Sequence, residues 1–159
     1  MINPECLLRG LADAKENRHR FNMGYWGISN NIPFISHEGI LAIAHNDCNS
    51  VLCIAGWASQ HVPFDPNKVL NNTELHYVDK AVLHHCCHSN IKSSTGEGDS
   101  LAILAEWDLS ELFCGRYPWF PDDINIEDIT LEMAEAAVHR WIVTYGGQEC
   151  LDQALANIK

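Results

Sequence analysis

His84-His-Cys-Cys-His88 is the densest group of ligating side chains in this chain of 159 residues. His84 and His88 are four positions apart, so on a helix both rings project from one face and can reach one divalent cation; neutral imidazole suits zinc or nickel. A pair is not yet a site. Zinc takes about three or more protein ligands, and the glutamate of an HExxH motif is missing, because positions 85 and 86 are His and Cys. His76, Cys87 or the pair Cys48 and Cys53 would have to complete the set. The preferred expectation is two exposed histidines beside Cys86 as a core filler, with no cofactor; zinc on His84 and His88 is the alternative.

Other chemistry is thinner. Cys48 and Cys53 are separated by four residues, the upper limit of a zinc-finger pair, but no second pair follows at finger distance. Cys48 at a helix N-terminus would have a lowered pKa, and His45 and Asp47 adjoin it in sequence, which does not establish the geometry of a nucleophile, base and acid. Gly96-Glu-Gly-Asp99 lacks the lysine and preceding strand of a phosphate loop. No catalytic residue is assigned, and the balance leans against an enzyme.

Tyr117-Pro-Trp-Phe-Pro121, followed by Asp122-Asp123 and Glu127-Asp128, has the composition of an interface: aromatic anchors with an acidic rim. Trp119, Phe120, Asp122, Asp123, Glu127 and Asp128 are therefore the candidate partner-binding residues. The alternative, of equal weight, is that Trp119 and Phe120 fill the protein's own core. The acidic pairs could also hold a cation, but acids approaching a helix start are favoured by its dipole without any ligand.

Charge points the same way. The net charge is −11; residues 1–96 hold 7 basic and 8 acidic side chains, whereas 97–159 hold 3 and 13, so almost all the excess is C-terminal. Direct nucleic-acid binding is disfavoured, since it depends on lysines and arginines that neutralise phosphates. A basic protein surface, including that of a nucleic-acid-binding protein, is the natural counterpart. Acidity can also serve solubility alone.

The elements that carry these residues read as helices. Asn3-Pro4-Glu5 opens a helix over 4–18 with Leu7, Leu8, Leu11 and Ala14 on one face. Residues 21–33 form an aromatic-pinned loop, and 39–44 a short apolar helix or buried strand. The hub is a helix over 50–61, capped by Ser50 and apolar nearly all round, in which Ala55 and Gly56 admit a neighbour and Trp57 anchors the core. After two prolines, a helix capped by Asn72 or Thr73 places Leu75, Val78, Val82 and Cys86 on one face, with His85 and Asp79 at its margins and Tyr77, His84 and His88 pointing away. Residues 91–99 read as a flexible linker. Leu101 to Trp107 is helical and Asp108 caps a second turn through Phe113. Thr130 caps a long helix with the stripe Met133, Ala134, Ala137, Val138, Trp141 and Ile142, closed by Gly146-Gly147, before a last helix over 149–158. The expected fold is all-α, a compact single-domain bundle of six or seven helices over 1–159 with aromatic-rich loops.

Seven cysteines without a regular framework imply reduced thiols. No run approaches a membrane span of about 20 apolar residues, and no signal-peptide pattern opens the chain, so a soluble, cytoplasmic protein is expected.

Phe21-Asn-Met-Gly-Tyr-Trp26, Cys48-Asn-Ser-Val-Leu-Cys-Ile-Ala-Gly-Trp57, Leu104-Ala-Glu-Trp-Asp-Leu-Ser-Glu-Leu-Phe113 and Ile129-Thr-Leu-Glu-Met-Ala134 resemble, in order, the motifs of a family of small, uncharacterised bacterial and phage proteins. That family carries Phe-Asp-Met, Cys-Gly-Thr-x-x-Cys-Ile-Ala-Gly, Leu-Gly-Leu-Ser with a later Leu-Phe, and Thr-Pro-x-x-Ala. The resemblance implies a helical architecture and a bacterial or phage origin, and brings no activity. The expected function is that of a non-catalytic, acidic protein-binding protein, an inhibitor or accessory factor on a basic surface.

Overall fold

The computed structural model describes residues 2–24, 53–62, 77–88 and 100–159, with the backbone alone for 77–81 and 88. Among them are six α-helices and no strand: α1 (Glu5–Glu16), α2 (Ile54–Ser59), α3 (Tyr77–His88), α4 (Ser100–Phe113), α5 (Leu131–Gly146) and α6 (Gln148–Asn157). Two 3-10 turns, Arg18–Arg20 and Ile126–Asp128, complete the set. The all-α class is as expected, and no described helix is long and apolar enough to cross a membrane. The expected element at 39–44, the linker at 91–99, and the positions of His45, Asp47, Cys48, Ser50 and His76 lie outside the described residues.

Helix α1 is central and contacts α2, α3, α5 and α6. Its buried face is Cys6, Leu7, Leu8, Gly10, Leu11 and Ala14, the i, i+3, i+4 pattern of an amphipathic helix. The start differs by one position from expectation: Pro4 occupies the N-cap and Glu5 opens the helix, while the Glu5 amide donates to Asn3 Oδ1 at 3.5 Å. Asn3 has a second task. Its backbone N–H donates to Cys86 O at 2.7 Å, satisfying one of the carbonyls that the last turn of α3 leaves without a helical partner.

The hub is shorter than its sequence suggests. Cys53 is extended (ψ 178°), so α2 begins at Ile54 rather than Ser50, and every residue from Ile54 to Ser59 is buried. A close approach is made by the backbone of Trp57 and Ala58 against Gly10 of α1, and Ala55 and Gly56 are buried. Arg20, itself buried, places its guanidinium 5.6 Å from the centre of the Trp57 ring, a cation–π contact. His61 Nε2 lies 2.6 Å from Asp13 Oδ2 and joins the end of this segment to α1.

Residues 100–113 form one helix, not two. Asp108 is mid-helix, where its carboxylate accepts from the Tyr145 hydroxyl, so it caps nothing. Helix α5 matches its expected cap: the Thr130 hydroxyl accepts from Met133 N–H at 3.2 Å, and Ala134, Ala137, Val138, Trp141 and Ile142 are buried. Trp141 donates its indole N–H to Ala105 O at 3.0 Å, which locks α5 onto α4. Gly147 closes α5 at φ +81°, a backbone region glycine enters without a Cβ clash, and α6 turns back from there.

Candidate interaction surface

Helix α4 is apolar on two opposite sides. At 100° per residue, Ala102, Ala105, Leu109, Leu112 and Phe113 cluster on one side and are buried. Ile103, Leu104 and Trp107 fall on the other and are 58%, 53% and 67% exposed; Leu101, at the start of the helix, is 56% exposed. Large apolar side chains occur singly on most surfaces; several on one helix face form a patch. The patch has an acidic frame. Glu106 and Asp108 project to either side of the stripe, and Glu111 continues it one turn beyond Trp107.

Beyond α4 the chain turns through Gly115, at φ +69°, into the aromatic loop. Tyr117 is 68% exposed, whereas Trp119 and Phe120 are 7% and 3% exposed. Those two rings therefore belong to the core and cannot serve as partner anchors in this conformation, the second of the two expectations for them. The Trp119 carbonyl accepts from the Arg140 guanidinium, and its indole N–H is buried without a hydrogen-bond partner among the described residues. Asp122, Asp123, Glu127 and Asp128 are all exposed, as a rim requires. Asn125 Nδ2 donates to Asp128 Oδ2 at 3.1 Å, and Glu127 lies over Gly24.

A groove of about 430 Å³ joins the two halves of this surface, lined by Glu111, Arg116, Tyr117, Asp122, Ile124 and Ile126 among others. Arg116 pairs with Glu111 at 3.3 Å along one wall. A second groove, about 600 Å³, lies between α4, α5 and the aromatic loop, with Asp108, Trp119, His139, Arg140, Val143 and Leu151 in its lining. Burial lowers the His139 pKa below its ordinary 6.5, against the pull of Glu135, so this groove presents a neutral imidazole near neutral pH.

The histidine motif falls on α3. His84 is exposed; Val82, Leu83, Cys86 and Cys87 are buried. His85 is half-buried, and its Nε2 lies 3.2 Å from Asn3 Nδ2; because that amide nitrogen donates, the imidazole accepts and is neutral. Burial, then the neighbouring His84, lowers the His85 pKa. Only the backbone of His88 is described, and no group of three or more potential ligands occurs among the described residues. The thiols here are poor ligands as they stand. Cys86 Sγ sits 3.3 Å from Cys6 Sγ, burial raises its pKa well above the ordinary value, and Cys87 is pushed up to about 12 by burial and the Glu106 carboxylate.

No family model, curated protein or solved structure matches the chain, so the likeness of its four short motifs to a family carries no assignment.

The stripe on α4 had no distinct signal in the sequence. Apolar residues on both sides of a helix mark it as enclosed, and only the packing of α3 and α5 shows which side they cover.

Proposed function

We propose that this chain is a non-catalytic, acidic protein-binding protein, of bacterial or phage origin, which engages a basic protein surface as an inhibitor or accessory factor. The observation that carries this reading is the solvent-facing stripe of Ile103, Leu104 and Trp107 on α4, framed by Glu106, Asp108 and Glu111. Apolar anchors supply affinity and the acidic frame supplies selectivity and steering, the usual division of labour in an interface. Trp107 and Tyr117 take the role that the composition of the 117–121 loop suggested for Trp119 and Phe120; Asp122, Asp123, Glu127 and Asp128 keep theirs as the acidic rim. A basic nucleic-acid-binding protein fits as the target, because a stretch of sequence with 13 acidic and 3 basic residues in 97–159 competes for the same lysines and arginines as phosphate.

The test is affinity capture from host extract with the untagged chain immobilised, run in parallel with Trp107→Ser, and eluted with rising salt. A basic protein retained by the native chain, released by salt and lost with Trp107→Ser is the expected result. Equal capture by both forms, or retention indifferent to salt, would refute the reading.

A further inference from the structure

The shape of the α4 surface also specifies the form of its partner. Ile103, Leu104 and Trp107 lie at i, i+1 and i+4 on one helix, an exposed ridge about 6 to 9 Å long. A second helix meets such a ridge with apolar side chains at i, i+3 or i+4, and i+7, over two to three turns. One turn beyond Trp107, Glu111 opens the groove it shares with Asp122 and Tyr117. Arg116 already pairs with Glu111 along one wall, so an incoming cationic side chain shares Glu111 with it and also meets Asp122, with the Tyr117 ring available to its stem.

We infer that the α4 face is a docking site for a basic amphipathic helix, which lays its apolar side against Ile103, Leu104 and Trp107 and places a lysine or arginine between Glu111 and Asp122. This rests on the protein-binding reading above and adds the partner's secondary structure and side-chain pattern. Charge selects this occupant over a second copy of the chain. Two copies would each bring −11, with Glu106, Asp108 and Glu111 of one facing those of the other.

The probe is a synthetic peptide of leucines and lysines, with the leucines at amphipathic-helix spacing. A second peptide of identical composition has the leucines scrambled. Binding of each is read by fluorescence anisotropy against the native chain, Trp107→Ser, Leu104→Ser, Glu111→Gln and the distant, exposed Glu132→Gln, with circular dichroism confirming that each variant is folded. The patterned peptide should bind the native chain and Glu132→Gln alike, roughly tenfold more weakly to Trp107→Ser or Leu104→Ser, and severalfold more weakly to Glu111→Gln. Its peptide spectrum should turn helical on binding. Equal affinity for the scrambled peptide would overturn helix docking while leaving a general acidic surface standing. Failure of both peptides to bind would remove the basic-partner reading as well. Two further results would overturn the inference: a dimer that Trp107→Ser dissociates, and a Trp107 already shielded from iodide in the isolated monomer.

Discussion

Gly10 and Ala58 stand backbone to backbone: a Cβ built on Gly10 would lie 2.6 Å from the Ala58 amide nitrogen and 2.8 Å from its Cα. Backbone cannot rotate away as a side-chain tip can. Gly10→Ala should therefore force α1 and α2 apart and destabilise the protein by about 1–3 kcal/mol, although alanine is the better helix former by about 1 kcal/mol at an open position. Urea unfolding of the two forms measures it. A more stable Gly10→Ala would mean the helices are not in contact.

Cys6 and Cys86 join α1 to α3 through a thiol–thiol contact inside the core. Both are at most 1% exposed, and burial keeps the Cys86 thiol protonated. Among the described cysteines of the native state, a thiol reagent should label the partly exposed Cys114 and Cys150 first, and leave Cys6, Cys53, Cys86 and Cys87 until the chain unfolds. Mass-spectrometric mapping of the label checks the order; early modification of Cys86 would contradict its burial.

The neutral His85 makes stability fall on acidification. Its folded pKa lies below 6.5, so on descending through 6.5 the unfolded chain takes up the proton before the folded one does, and unfolding gains. Above that range the group contributes no slope. His139 is lowered in the same direction by burial. Replacing His85 by Gln, which keeps an acceptor for Asn3, should shrink but not abolish the stability lost between about pH 7.5 and pH 5.5. Urea midpoints at the two values decide it, and an unchanged loss would place the proton elsewhere.

Thr130→Ala removes the hydroxyl that accepts from Met133 N–H, and should cost about 1 kcal/mol. Thr130→Ser keeps the bond and should stay near the native stability. Thermal melts of the pair separate loss of the cap from loss of the methyl group.

Features set by a few consecutive residues were legible in the sequence. Thr130 and Gly147 mark the ends of α5 because a cap and a positive φ are local demands, and the faces of α3 follow from helical spacing, with Cys86 buried and His84 exposed. Features set by distant partners were not. The start of α2 depends on the extended Cys53, and Asp108 reads as a cap until Tyr145, 37 residues away, is seen to hold it inside a continuous helix. The aromatic loop stayed open between two readings for the same reason: composition shows that Tyr117, Trp119 and Phe120 are present, while exposure is decided by what packs over each. Trp107 escaped notice because a helix apolar on two sides gives no sign of which side is covered.

Helix α1 also bears on the order of assembly. Glu5 Oε1 accepts from Asn157 Nδ2 at 2.9 Å, across 152 positions of chain, and α1 packs on α5 and α6 as well as α2. During synthesis the leucine face of α1 leaves the ribosome long before α5 and α6 exist to cover it. The acidic C-terminal helices thus complete the core last, onto an α1 that α2 is already there to meet.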